Sequence, residues 1–257
     1  MHGFIDDATG NVTGLYLTKN ECLMGYLEVL RHTILKHGIP QGLYPDRYSV
    51  FFVNPQKSGD ISVEEQLEGV ERAETQFGRI VRTLGIDMFP AHSPQAKGRA
   101  ERLWETLQSR LPVELALAGI KTVDDANAFL PEFVRQFNKQ FSVEPAESFS
   151  AYIPLPAHYD LDRLLCAEIS RSLSSGSTVK IMNKTFRIEQ NKLAAKTRIS
   201  ILFSAKHGIR AWANGQYFPI TLLDNITLAD SVIRTGDMPM VVQLLIKRFL
   251  LSDAKAV

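Results

Sequence analysis

The 257 residues, 45% apolar and 22% charged, have the make-up of a folded soluble protein of one to two domains, which excludes a disordered tail and a collagen-like rod. Lys plus Arg (29) and Asp plus Glu (28) leave a formal charge of +1, so any nucleic-acid or membrane surface has to be a local patch. Two distant cysteines, Cys22 and Cys166, exclude a C-x-x-C zinc or redox motif and suit a reducing cytoplasm; no leader and no run of about 18 apolar residues argues for secretion or a membrane span.

Phe4 to Leu17 reads as two short strands around an Asp-, Thr-, Gly- and Asn-rich turn, a hairpin signature. From Asn20 to about Lys36 the apolar positions Leu23, Tyr26, Leu27, Leu30 and Ile34 recur at three and four, and Gly38 with Pro40 supplies the stop, which predicts a helix. Gly42-Leu43-Tyr44-Pro45-Asp46, a short apolar run into an acid followed by Val50-Phe51-Phe52-Val53, predicts a strand whose end presents Asp46. Asn54–Asp60 is a loop, and Val63–Leu84 has helical character ending at Gly85. Ile86–Ala91 is a brief strand, after which Ala100, Leu103, Trp104, Leu107 and Leu111 form the apolar stripe of a helix from Gln95. A further helix runs from Val123 to about Gln140, capped by Thr122, with Ala126, Phe129, Leu130, Phe133 and Phe137 inward. Pro145–Pro156 reads as a linker, and the short strands within 179–182, 185–188 and 198–203 fit a small β-barrel. Leu222–Val257 carries no assignment beyond a helix near 241–251.

The run Ser93-Pro94-Gln95-Ala96-Lys97-Gly98-Arg99-Ala100-Glu101-Arg102 opens a helix and sets Lys97 one turn before Glu101. Alone, such a pair is an exposed ion pair worth a few tenths of a kcal/mol. In its surroundings the run resembles the integrase catalytic core of bacterial insertion-sequence transposases, the superfamily shared with retroviral integrases, in which S-P-Q-x-K-G-x-x-E-R carries the last of three catalytic acids. Leu43-Tyr44-Pro45-Asp46-Arg47-Tyr48-Ser49-Val50-Phe51 resembles the family's strand bearing the middle acid, with Pro45 where a serine is commoner. Phe4-Ile5-Asp6-Asp7-Ala8-Thr9-Gly10 and Thr75-Gln76-Phe77-Gly78-Arg79 extend the similarity over residues 1 to about 140. The long stretch between Asp46 and Glu101 resembles the transposase branch with an inserted segment there.

The resemblance implies an α/β, ribonuclease-H-like mixed sheet with flanking helices over 1–150, a linker over 151–176, a small basic β-barrel over 177–220 and an unassigned tail over 221–257. It implies DNA cleavage and strand transfer on Mg²⁺ (or Mn²⁺), with Asp46 and Glu101 as catalytic metal ligands and Lys97 and Arg99 against the DNA backbone. In-line phosphodiester chemistry uses two ions about 3.5–4 Å apart, and hard cations of this kind take carboxylate oxygens. The family's first acid lies on a strand before Phe4, which this chain does not include; Asp6 and Asp7 stand at the end of the neighbouring strand and are expected in turn or surface roles. That first strand would sit between the Phe4 and Asp46 strands, so both are expected to keep unpaired edges.

Between Ser177 and Tyr217, Lys180, Lys184, Arg187, Lys192, Lys196, Arg198, Lys206 and Arg210 face Glu189 alone, a patch that would hold phosphates without reading sequence. The blander reading is a solvated face. His32, His37, His92, His158 and His207 lack H-x-x-x-H spacing. The expected whole is a DNA-dependent, homo-oligomeric, cytoplasmic and nucleoid-associated transposase, incomplete in this chain. The alternative is a non-catalytic DNA-binding or oligomerising remnant of one, and a structure-specific nuclease of the same fold is a third reading.

Overall fold

The computed structural model describes residues 1–46, 50–52, 74–90, 98–181, 184–190 and 192–223, with only the backbone of Arg99 and Ala100. They form a mixed α/β structure with several small sheets, in two units that meet in the chain at Leu164 and Leu165.

The first unit starts as the sequence predicts. Strands β1 (His2–Ile5) and β2 (Val12–Tyr16) pair antiparallel. Their turn is built by Asp6, whose carboxylate accepts from the Thr9 N–H (3.0 Å) and the Thr9 hydroxyl, while Gly10 N–H donates to Asp6 O (2.7 Å). Asp6 therefore does the local work typical of Asp in turns. Helix α1 (Leu23–His37) lies on one face of the hairpin. Two glycines set that approach: a Cβ at Gly14 would stand 2.6 Å from Val29 O, and one at Gly25 would overlap the His2 ring. Helices α3 (Gly98–Leu117) and α4 (Val123–Phe141) bring Leu107, Leu111, Leu130, Phe133, Val134 and Phe137 against Val12 and Leu15, with half-buried Trp104 at the margin. Thr122 caps α4 as expected, its hydroxyl accepting from Asp125 N–H.

The outer edge of β2 has no strand beside it among the described residues; α4 seals it. Asn138 accepts from Val12 N–H and donates to Val12 O, both at 2.9 Å, and Asn127 does the same for Leu17 at 2.8 and 3.0 Å. The spacing is geometric. Eleven residues of helix rise about 16.5 Å and return to the same face after three turns. Five residues of strand span about the same distance at about 3.3 Å each. Two side-chain amides thus take the place of a neighbouring strand.

Three expectations change. Among the described residues the predicted strand around Asp46 shrinks to β4 (Gly42–Leu43), with 47–49 and 53 outside them, and Val50–Phe52 forms a turn: Phe51 is buried with its ring 4.7 Å from Tyr26 and 5.1 Å from Phe77, so its apolar character reflects aromatic packing. Helix α2 (Gln76–Thr83) begins only after Thr75, whose hydroxyl caps Gly78 N–H at 2.9 Å; residues 63–73 of the predicted helix lie outside the described residues. The stretch expected as a linker carries β6 (Tyr152–Ile153), paired with β3 (Ile39–Pro40), then α5 (Leu161–Leu164) and β7 (Ala167–Ser172).

In the second unit the three predicted strands appear as β8 (Thr178–Ile181), β9 (Lys184–Ile188) and β10 (Arg198–Ser204), joined by β11 (Gly208–Ala213), β12 (Gln216–Phe218) and β13 (Ile220–Leu222). They do not close into the expected barrel among the described residues. Backbone pairing gives a four-stranded sheet, β12-β11-β10-β7, and a three-stranded one, β13-β9-β8. Both bury alternate apolar side chains, Ile199, Ile201, Phe203 and Ala211 on one and Val179, Ile181, Phe186 and Ile188 on the other. The tail from residue 224, with its suggested helix, lies outside the described residues.

Candidate active site

Strands β4 and β5 (Asp87–Met88) pair in parallel, Gly42 against Asp87 and Leu43 against Met88, and Phe89 N–H extends the ladder to Leu43 O at 2.9 Å. Parallel strands end at the same edge, so the chain leaves both at one place. Tyr44 and Phe89, the first residues past each end, stack with ring centroids 5.1 Å apart. Two residues beyond Tyr44 stands Asp46, exposed. On the other branch the chain passes Phe89 and Pro90 and re-enters the described residues in the first turn of α3, which holds Glu101.

Helix α3 turns Leu103, Trp104, Leu107 and Leu111 toward the hairpin and leaves Glu101, Arg102 and Glu105 exposed. Arg102 Nε is tied back to Gly98 O at 3.0 Å. The helix N-terminus offers Glu101 the positive end of the backbone dipole, a setting that suits a carboxylate. Asp46 and Glu101 are each exposed, and a carboxylate is the type of hard-oxygen donor Mg²⁺ selects. No cluster of three His, Cys, Asp or Glu forms among the described residues. Lys97 lies outside them, and the Arg99 side chain is likewise undescribed.

One polar group escaped sequence reasoning. Asp6, Thr13, His37 and Tyr152 converge from β1, β2, α1 and β6. Burial, with the Asp6 charge second, pushes the Tyr152 phenol up to about 12. Burial also lowers the His37 imidazole, whose ring centroid lies 5.8 Å from that of Tyr152. Tyr152 is 146 positions from Asp6 along the chain, and no local pattern announces such a meeting.

The basic residues separate by strand. Lys180 and Arg187 share the outer face of the three-stranded sheet, Lys180 opposite Thr185 and Arg187 between Thr178 and Thr221. Lys184 sits opposite Ile181 at the β8–β9 hairpin end. Lys192 and Lys196 lie exposed in the approach to β10, and Arg198 begins that strand opposite Ser172. From Leu165 to Leu223 the chain holds Arg171, Lys180, Lys184, Arg187, Lys192, Lys196, Arg198, Lys206 and Arg210 against Glu168 and Glu189. The near-zero total charge therefore conceals a strongly cationic second unit.

Fold and site together define a mixed α/β chain with an acidic strand edge and a separate basic β unit. No protein-family model matches the chain. It is similar to the protein named "Putative transposase y4bF" of Sinorhizobium fredii, 37% identical over 191 residues, which is 74% of this chain and 40% of that protein. It is likewise similar to the transposase for insertion sequence IS1202 of Streptococcus pneumoniae, 37% identical over 186 residues, 72% of this chain and 38% of that one. The chain thus spans about two fifths of the length of the curated relatives it matches. No helix among the described residues is long and apolar enough to cross a membrane.

Proposed function

We propose that the chain is part of an insertion-sequence transposase that cleaves and joins DNA strands, its first unit being an integrase-type catalytic core. The observation that carries this reading is the parallel β4–β5 pair, one strand of which is followed by Asp46 and the other by the chain toward α3; the 37% identity to transposases supports it over most of the chain. The sheet adds support. β1–β2 and β4–β5 are separate two-stranded sheets, the division expected of a ribonuclease-H-like sheet lacking the central strand that bears the first acid.

In this reading Asp46 and Glu101 hold Mg²⁺ (or Mn²⁺) together with that further acid. The bound ions lower the cost of the negative charge that develops as a phosphodiester is attacked in line. The protein's own contribution is positional. The β4–β5 ladder fixes where Asp46 emerges, and α3, anchored by Leu107 and Leu111, fixes Glu101. Lys97 and Arg99, four and two residues before Glu101, steady the DNA backbone, while Lys180, Lys184, Arg187, Lys192, Lys196 and Arg198 hold phosphates. The partner is DNA. Joining two element ends calls for a homo-oligomer, working in the cytoplasm on the nucleoid.

Two experiments test this. Reading about 60 nucleotides upstream of the Met1 codon, a length set by one strand of about 5–6 residues with its approach, is expected to reveal an in-frame strand with an Asp. The protein extended by that strand is then expected to nick and join plasmid DNA with Mg²⁺, and Asp46→Asn or Glu101→Gln to abolish this while DNA affinity persists. Activity that survives both substitutions refutes the metal site. A stop codon or frameshift upstream leaves a DNA-binding remnant as the better account.

A further inference from the structure

The four-stranded sheet of the second unit leaves one end of one face outside its core. Cross-strand register places Ser170, Ser200, Trp212 and Tyr217 in a single row across all four strands, with Arg198 opposite Ser172 in the next row. The residues alternating with these, Ile199, Ile201, Ala211 and Ala213, are buried on the opposite face. Further along the same face Leu202 is buried, so the accessible part is the end formed by this row and by Arg198.

The row is chemically specific. Trp212 and Tyr217 meet edge to face with centroids 4.6 Å apart, and the Arg210 guanidinium lies 4.2 Å over the Tyr217 ring. Tyr217 is nonetheless 36% exposed. Aromatic rings braced by a guanidinium, beside serine hydroxyls and a second arginine, offer π-faces, phosphate charges and hydrogen-bond partners together. In a duplex the base faces are already stacked and cannot reach such rings; unpaired bases can. The nine basic against two acidic residues between Leu165 and Leu223 match a polyanion.

We infer that this end of the β12-β11-β10-β7 sheet binds unpaired nucleotides of a DNA strand, with Trp212 and Tyr217 stacking on the bases and Arg198 on the phosphates. The surface is independent of the acidic site. Asp46→Asn and Glu101→Gln therefore leave single-strand binding intact, and its failure would not touch the catalytic reading.

The test uses the full chain, an oligothymidylate of about 12 nucleotides and a duplex of the same length. Trp104→Phe leaves Trp212 as the one indole, because the sequence has two tryptophans. Oligothymidylate is expected to quench its emission. Tyr217→Ala is expected to weaken single-strand affinity about tenfold and Tyr217→Phe to preserve it, with duplex affinity unchanged in both. Absence of quenching overturns the inference. So does an equal loss for duplex and single strand, which marks a surface for phosphates alone, or a Tyr217→Phe protein that behaves like Tyr217→Ala.

Discussion

Removing the Asn138 amide tests whether α4 serves as the missing neighbour of β2. Val12 has no exposure, and its N–H and C=O both end on that side chain. Asn138→Ala leaves two backbone groups without partners in a dry site. At about 1–3 kcal/mol for each unsatisfied group the loss is about 2–6 kcal/mol. For a chain of this size that lowers the melting midpoint by roughly 4–24 °C, at about 2–4 °C per kcal/mol. Asn127→Ala, by the same logic, costs only about 1 kcal/mol, because half-buried Leu17 can recruit water. Asn138→Asp retains an acceptor for Val12 N–H but sets a carboxylate against Val12 O, and is expected to cost nearly as much as alanine. Urea unfolding followed by far-ultraviolet dichroism, with the slope checked for constancy, reads all three. A loss under about 0.5 kcal/mol for Asn138→Ala, or a larger loss for Asn127→Ala, would refute the edge-sealing argument.

His2 accepts the Cys22 N–H at 3.1 Å, and burial, reinforced by the amino-terminal charge, lowers its pKa from 6.5 to about 4. A depressed histidine adds stability that is present above pH 6.5 and lost as pH falls through the folded value. Unfolding between pH 7 and pH 4 is expected to show a decline on the order of 3 kcal/mol that His2→Gln reduces. Gly14→Ala is expected to destabilise by more than about 2 kcal/mol in calorimetry, since its methyl meets the carbonyl of Val29 and no flexible tip that could yield. Glu132→Ala, by contrast, is expected to leave the melting midpoint unchanged: its bonds to Arg135 and Gln136 pull the carboxyl down to about 2, but the pair stands in open solvent.

Local patterns anticipated what local chemistry decides. The hairpin followed from Asp6, Thr9 and Gly10; α1 and α4 followed from apolar spacing, with Thr122 read correctly as a cap. Strand placement near Asp46 went astray because Phe51 and Phe52 carry the same apolar signature whether they pair in a ladder or pack as rings. Strands β7 and β11 were missed where Arg, Ser and Gly interrupt the apolar pattern, and β12 and β13 because three residues each are too short to show an alternation. Asp46 and Glu101 were legible only through their flanking motifs. That β4 and β5 run in parallel is a fact of pairing between segments more than 40 residues apart, which no window of sequence contains. The Trp212–Tyr217 row is similar, since it exists only once the register is known.

Between Leu43 and Asp87 the chain spends 43 residues before it returns beside the strand it left. A parallel neighbour demands an excursion of a dozen or more residues in any event. Once that demand is met, extra length is thermodynamically mild, about 0.6 kcal/mol for each doubling of a flexible loop. Lineages can therefore lengthen or shorten the part of this excursion that lies between Phe51 and α2 without moving the two strand ends. The fold confines tolerance to one segment and exactness to another, so a new interaction could evolve in the excursion while the acids keep their address.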